Sequence, residues 1–301
     1  MWYIESVYIL FIASFYYSNF DFMVSKNYKK ENYAYISIIT SDDYLPGLLV
    51  LHKTLINTGT EYPFLVLLTS DVSTYTISIL EKQNIQYKVI DSIINNPTDV
   101  DKKHRWFSTY SKLHVFNQTQ YDKIVYLDAD ILVLKNIDEL FKNPHMSATN
   151  ASSMLPSKSS RTYLNSGIFV LEPSHELFGD MISKIGKIEK LESNGSLDRP
   201  KYGSDQDFLN AFYSGWVNDK KLHLDHKYNI FHYYLDEYNS LFNYSIKSDS
   251  VRPISIIHYA SYLKPWNMTK GELNKISLDP KRKLESEVIQ LWLSIYNEIK
   301  P

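Results

Sequence analysis

Lys123-Ile124-Val125-Tyr126-Leu127-Asp128-Ala129-Asp130 is an apolar run that stops at two carboxylates one residue apart. The β-prone residues followed by acids predict a buried strand that ends at the edge of a sheet. Two acids at such an edge repel each other, and a divalent cation offsets that repulsion. Their hard oxygen atoms suit Mg²⁺ or Mn²⁺. The Asp-x-Asp triplet alone is weak evidence, because it also occurs in ordinary turns.

Strands and helices alternate on the N-terminal side of this stretch. Short β-rich runs cover residues 34–40, 63–69 and 87–90, and apolar residues at helical spacing cover 45–55 and 73–83. The order β-α-β-α-β predicts an α/β fold with a Rossmann-like sheet that carries helices on both faces. Ligands of such sheets bind beyond the carboxyl ends of the strands, so residues 40–44 lie where a nucleotide is expected.

Further elements are predicted on the C-terminal side of the stretch. We expect helices at 108–116, 177–191 and 205–213, and strands at 166–171 and 254–258. A last helix is expected to start at the cap formed by Asp279 and Pro280. The tyrosine-rich segment 219–249 is interpreted as a surface or acceptor-side region.

Composition narrows the class of protein. The chain has 301 residues, of which 44% are hydrophobic and 22% charged, with a formal net charge of -2, so one globular domain is expected. The absence of a strong positive charge argues against a nucleic-acid partner. With no cysteine, the chain has neither disulfides nor thiolate metal ligands.

Residues 1–32 are interpreted as an N-terminal extension. Its apolar run 7–17 is shorter than the roughly 20 residues that a spanning helix needs. Lys26, Lys29 and Lys30 follow the run instead of preceding it, which predicts a cytoplasmic location for the main domain. Two alternatives stay open for the extension, namely contact with a membrane and simple attachment to the domain.

The acids that end this apolar run belong to a series of six motifs that occur in a fixed order along the chain. They are Lys112-Leu113-His114, Tyr126 to Asp130, Asn136-Ile137-Asp138-Glu139-Leu140-Phe141, Leu164-Asn165-Ser166-Gly167-Ile168-Phe169-Val170, Asp205-Gln206-Asp207-Phe208-Leu209-Asn210 and His258-Tyr259-Ala260-Ser261-Tyr262-Leu263-Lys264-Pro265-Trp266. This series resembles glycosyltransferase family 8, which includes glycogenin and bacterial lipopolysaccharide galactosyltransferases. The resemblance runs from about residue 35 to residue 266.

The resemblance implies a GT-A fold with a mixed, mainly parallel sheet over residues 33–270, followed by a helical segment 271–301 packed on it. It also implies a UDP-sugar donor, Mn²⁺ with Mg²⁺ as the alternative, and retention of the anomeric configuration. The implied transfer moves a hexose (glucose, galactose or N-acetylglucosamine) to a glycan, lipid-linked or protein acceptor. A homodimer stays an open alternative.

Site residues follow from the resemblance position by position. The matched metal ligands are Asp128, Asp130 and His258. The matched donor contacts are Ile38, Thr40 and Tyr44 for uridine, Ala129 between the acids, and Lys264 near the phosphates. Lys112 matches a further donor-contacting lysine, and Asn165 and Ser166 match the pair that faces the sugar. Asp205 and Gln206 match the pair beside the anomeric carbon and, with Lys264, are the expected catalytic residues. The sequence departs from the family pattern at three positions, with Ser41 in place of asparagine, Ser261 in place of glycine and Tyr202 in place of an aspartate.

Purely structural roles also fit some of these residues. His258 ends a β-rich run where a buried, hydrogen-bonded histidine is common, and Asp205 suits a helix N-cap. A sugar nucleotidyltransferase is disfavoured because residues 40–44 contain neither glycine nor a basic residue. An inactive binding protein is the remaining rival, and retention of the acids, His258 and Lys264 argues against it.

The acceptor is the least constrained part of the prediction. In glycogenin, self-glucosylation starts on a tyrosine after a Tyr-Asn dipeptide that matches Tyr228-Asn229, and ungapped counting places that tyrosine at Asp236. Tyr233, Tyr234 and Tyr238 lie close to that position. A separate acceptor is therefore expected, with a self-glucosylating, glycogenin-like primer enzyme as the alternative.

Overall fold

A computed structural model describes residues 31–93, 109–150, 163–185, 187 and 204–301. Residues Tyr33–Pro301 form one compact unit. The apolar run 7–17 lies outside the described residues, and its predicted membrane contact is therefore not addressed. Within the described ranges, no helix combines the length and the apolar character needed to cross a bilayer.

The main sheet has seven strands in the order β3-β2-β1-β4-β7-β6-β8. Its members are β1 Tyr33–Ile39, β2 Phe64–Thr69, β3 Gln86–Ile90, β4 Lys123–Leu127, β6 Ala148–Asn150, β7 Leu164–Leu171 and β8 His223–Leu224. The first four strands pair in parallel, whereas β7 is antiparallel to both β4 and β6. The predicted mixed, mainly parallel sheet is confirmed.

A second sheet of three strands has the order β5-β12-β9. It consists of β5 Ile131–Val133, β9 Ile230–Phe231 and β12 Ile256–His258, and a separate pair is formed by β10 Tyr244–Ser245 and β11 Arg252–Pro253. Strand β12 is antiparallel to β5, and the register places His258 opposite Ile131. Because β5 begins one residue after Asp130, this pairing brings the end of β12 to the acids.

Seven α-helices cover the sheets of the described chain. They are α1 Leu45–Asn57, α2 Thr74–Lys82, α3 His175–Lys184, α4 Asp205–Phe212, α5 Leu235–Phe242, α6 Lys270–Ser277 and α7 Lys283–Ile299. Strand β1 is buried on both faces, with Tyr35 and Ile39 in one core and Ala34 and Ile36 in the other. Burial on both faces explains why this strand reads as a continuous apolar run.

Three predicted helices differ from the structure in type or position. Residues Thr109–Asn117 form a 3-10 helix, in which Tyr110, Leu113 and Phe116 are buried at a spacing of three. Helix α3 begins at His175, earlier than predicted, because Ser174 caps it, and residues 188–191 lie outside the described ranges. Asp279 caps a 3-10 turn over Pro280–Arg282, and α7 starts only at Lys283.

Helix α7 packs against a third core beneath the three-stranded sheet. Trp292 is fully buried there, with its ring 5.2 Å from that of Trp266. The Tyr259 hydroxyl donates a hydrogen bond of 2.8 Å to the carbonyl of Val288. The segment after β12 is thus fixed to the C-terminal helix. The predicted boundary between a domain at residues 33–270 and a helical segment at 271–301 stays a prediction.

Candidate active site

The two sheets bring the predicted metal ligands together. Asp128 and Asp130 lie in the link between β4 and β5, and His258 ends β12. Ligand atoms of the three side chains all lie within 4.8 Å of one another. Nε2 of His258 is 3.1 Å from Oδ1 of Asp130 and 3.9 Å from Oδ2 of Asp128. Two carboxylates and an imidazole are a donor set that fits a divalent cation.

Lys264 forms the closest ion pair of the site. Its Nζ is 2.5 Å from Oδ2 of Asp130 and donates a second hydrogen bond of 2.7 Å to the carbonyl of Tyr259. Burial would raise the pKa of Asp130, but the charges of Lys264 and His258 outweigh it and hold that pKa well below its usual range. Asp130 therefore stays ionised at every pH of practical interest.

Lys112 forms ion pairs with one predicted metal ligand, Asp128, and with one residue of the predicted catalytic pair, Asp205. Its Nζ lies 3.0 Å from Oδ1 of Asp128 and 2.7 Å from Oδ2 of Asp205. Burial would lower the pKa of Lys112, but the two carboxylates outweigh it and raise the pKa above its usual value. A permanent ammonium charge therefore stands between the two groups of acids.

Helix α4 presents Asp205 and Gln206 to strand β7. Oγ of Ser166 donates to Oδ2 of Asp205 at 2.8 Å, and the backbone N–H of Ser166 donates to Oε1 of Gln206 at 3.2 Å. The N-cap of α4 is Ser204, which forms a capping box with Asp207. The alternative in which Asp205 serves as the N-cap is wrong, and its side chain points to β7 and Lys112.

Asn165 and Gly167 fix the other side of this site. Oδ1 of Asn165 accepts hydrogen bonds from the backbone N–H of Gly167 at 2.9 Å and from Nδ2 of Asn229 at 2.8 Å. A Cβ atom at Gly167 would lie only 2.4 Å from Cε1 of His258. Any side chain at position 167 would therefore require His258 or the backbone of β7 to shift.

The predicted uridine contacts lie at the end of β1 and just beyond it. Ile38 packs into a core next to the sheet, and Thr40 follows the strand directly. The ring of Tyr44 is 38% exposed, and its centroid is 5.9 Å from Nζ of Lys264. Tyr44 and Lys264 are thus neighbours, as a shared nucleotide site requires. Ala129 is buried under α1.

Asn229 is a site residue that the sequence analysis missed. Its Nδ2 donates to Asn165 at 2.8 Å and to Oγ1 of Thr149 at 3.1 Å, which leaves its Oδ1 to accept from Nδ1 of His258 at 2.8 Å. Nδ1 therefore carries a hydrogen, and Nε2 is the nitrogen that faces Asp130. The only signal in the sequence is the Tyr228-Asn229 dipeptide, which matches a Tyr-Asn dipeptide of glycogenin.

Replacing Asn229 with leucine should weaken the binding of a divalent cation, with Mn²⁺ as the probe, by about 10- to 100-fold, because the ring of His258 loses the acceptor that orients it. Titration of the protein with Mn²⁺, followed by electron paramagnetic resonance without any donor, measures this directly. Asn229→Asp keeps an acceptor and should bind Mn²⁺ more tightly than the leucine variant. Unchanged Mn²⁺ affinity in a folded Asn229→Leu protein would contradict this role.

Comparisons with known proteins agree with this geometry. The model of glycosyl transferase family 8 matches residues 35–270. The chain is 32% identical to glycogenin-1 of Homo sapiens over 270 residues, which are 87% of this chain and 71% of that protein. It is 35% identical to inositol phosphorylceramide glucuronosyltransferase 1 of Arabidopsis thaliana over 185 residues, which are 62% of this chain but only 31% of that protein.

Solved structures agree on the fold. The galactosyltransferase LgtC in complex with donor and acceptor sugar analogues matches with a TM-score of 0.57 at 17% identity, over 89% of this chain and 96% of that one. The predicted GT-A fold is confirmed by this likeness and by the mixed sheet. The matches to the family model and to glycogenin-1 show that the chain belongs to glycosyltransferase family 8, a family of retaining GT-A glycosyltransferases that use UDP-sugar donors.

Proposed function

We propose that this glycosyltransferase moves a hexose (glucose, galactose or N-acetylglucosamine) from its UDP-sugar to a glycan, lipid-linked or protein acceptor with Mn²⁺ as the metal. The observation that carries the proposal is the continuous polar site in which Lys112 contacts both Asp128, one of the predicted metal ligands, and Asp205. One end of this site suits a diphosphate, and the other end suits a sugar. In this proposal residues 33–270 form the catalytic domain, and 271–301 form a helical segment packed on it.

Lys264 is assigned to the phosphate end of the donor. A buried ammonium at 2.5 Å from Asp130 is well placed to pair with a phosphate oxygen of the departing UDP. A divalent metal bound here would supply positive charge to offset the negative charge of the diphosphate. Asp128, Asp130 and His258 would hold it, and Tyr44 would stack on the uracil ring.

Asp205 and Gln206 are assigned to the sugar end. Oδ2 of Asp205 already accepts from Ser166 and pairs with Lys112, an arrangement that fixes the carboxylate and lowers its value as a nucleophile. The fixed negative charge would stabilise positive charge at the anomeric carbon. We therefore favour attack of the acceptor hydroxyl from the face that UDP leaves, over a covalent intermediate on Asp205.

UDP release from a panel of UDP-sugars tests the proposal. Each donor is incubated with the protein and with Mn²⁺, Mg²⁺ or a chelator, first alone and then with sugar, lipid and protein acceptors. We expect release from one UDP-hexose, faster with Mn²⁺ than with Mg²⁺ and abolished by the chelator. Failure to release UDP from every donor in the panel would favour the inactive binding protein.

The structure of the α5 region favours a separate acceptor over self-glucosylation. The carboxylate of Asp236 accepts hydrogen bonds of 2.9 and 3.0 Å from the backbone N–H groups of Leu284 and Glu285. It therefore caps the start of α7, which is a structural role. Tyr238 is fully buried, and Tyr233 and Tyr234 are partly buried.

Purified protein incubated with Mn²⁺ and each common UDP-hexose should keep its original mass, because the position matched to the glycogenin tyrosine is a helix cap. Intact-mass spectrometry checks this expectation. Tyr233→Phe, Tyr234→Phe and Tyr238→Phe proteins serve as the comparison. Successive hexose-sized additions that disappear in one of these variants would overturn the prediction and favour a glycogenin-like primer enzyme.

A further inference from the structure

A cavity of about 560 Å³ lies beside the loop that connects His258 to Lys264. Ser261, Tyr262 and Leu263 of this loop form one wall, and Tyr233 forms another. The cavity is close to the metal ligands, because the ring of Tyr233 lies 5.6 Å from that of Phe231, which in turn lies 5.3 Å from His258. Its size falls in the range of about 300–1,000 Å³ typical of small-molecule sites.

The remaining walls carry charged groups in balanced numbers. Lys275 and Arg282 line the cavity together with Glu272 and Glu285. A phosphate or carboxylate ligand would be matched by an excess of positive charge. This balance therefore favours a neutral ligand that both donates and accepts hydrogen bonds.

The polar groups of the cavity are held in place before any ligand binds. Arg282 donates to both carboxylate oxygens of Glu285 at 2.6 and 2.7 Å, and Glu285 is only 2% exposed. Glu272 accepts from the backbone N–H and the hydroxyl of Thr269 at 2.7 and 2.8 Å. Fixed groups lose little conformational entropy on binding, which is what a specific site requires.

Aromatic rings supply the apolar part of the surface. Tyr262 is 84% exposed, although burial of so large a ring is normally favourable. Burial raises the pKa of Tyr233 to about 12, so its hydroxyl keeps its proton and can both donate and accept. Ring faces next to fixed polar groups match a sugar, which has apolar C–H faces and a rim of hydroxyls.

We propose that this cavity binds a neutral sugar unit of the acceptor glycan. The inference rests on the proposed transfer to a separate acceptor, and it names the class of that acceptor as a neutral oligosaccharide. Tyr262 stacks on the sugar, and Lys275 and Arg282 donate to its hydroxyl oxygens. The loop from Ser261 to Leu263 leads directly into Lys264, so this sugar unit would lie beside the phosphate end of the donor.

Binding of the labelled full-length protein to a printed glycan array tests the assignment. We expect the wild type to bind one or more neutral oligosaccharides, and Tyr262→Ala to bind them about tenfold more weakly. Tyr262→Phe keeps the ring and should retain most of the binding. Leu278→Ala is the matched control, because Leu278 is 82% exposed and does not line the cavity.

UDP release by the wild type without acceptor is measured in parallel. Release combined with no binding to any neutral glycan would overturn the cavity assignment while the proposed donor chemistry stands. Binding restricted to phosphorylated or acidic glycans, or neutral binding that is unaffected in Tyr262→Ala, would overturn it as well. Tyr262-dependent neutral binding without any UDP release would support the cavity assignment and contradict the proposed transferase activity.

Discussion

Asp130→Asn should lower metal-dependent UDP release by about 10³-fold while leaving the fold intact. The substitution keeps the shape of the side chain but removes the negative charge that faces both His258 and Lys264 at 3.1 and 2.5 Å. An amide is a poor ligand for a hard divalent cation compared with a carboxylate. Initial rates at saturating UDP-sugar and Mn²⁺, with a thermal melt of the same preparation, measure the two parts of this prediction.

The matched control for that variant is Asp249→Asn, which removes a carboxylate from an exposed position. Its UDP release should equal that of the wild type. A folded Asp130→Asn protein with wild-type turnover would show that Asp130 is not a metal ligand. Loss of the folded state in Asp130→Asn would instead assign the acid a structural role.

Lys264→Ala should lower turnover by about 10²- to 10³-fold, because the departing UDP loses the buried ammonium proposed to stabilise it. Lys264 also pairs with Asp130, so the variant frees an oxygen of that carboxylate for the metal. We therefore expect Mn²⁺ affinity without donor to be at least as high as in the wild type. Rates with saturating donor and a Mn²⁺ titration separate these two effects.

Lys270→Ala is the appropriate control for this second variant, since Lys270 is an exposed lysine on α6. Its rate and its Mn²⁺ affinity should both be unchanged. A Lys264→Ala protein that releases UDP at the wild-type rate would remove Lys264 from the phosphate end. A variant whose rate loss is fully recovered by more Mn²⁺ would assign Lys264 to metal binding alone.

The parts of the fold that depend on short-range patterns were predictable from the sequence. Strand β4 and the acids that follow it were expected from a single apolar run, and the parallel strands before it from alternation with helices. The order of the motifs then placed His258 and Lys264 with the acids. These features depend on residues that are close in the chain or on a recognisable series.

Features that depend on pairing between distant segments were not predictable. The antiparallel pairing of β12 with β5 joins residues that are far apart in the chain. The hydrophobic periodicity of a strand does not indicate which distant strand it pairs with. Asn229 was missed for the same reason, because its role exists only once β9 and β12 lie side by side. The start of α7 was misplaced because its cap, Asp236, comes from another helix.

The two buried lysines have a consequence for how the protein matures. Three carboxylates packed together without partners would oppose folding until a cation arrived, as happens in small domains that need their metal to fold. Here Lys112 and Lys264 supply internal countercharges to Asp128, Asp130 and Asp205. We therefore expect folding not to require the metal, and we expect a chain that loses its metal to a chelator to stay folded and to regain activity when the metal is restored.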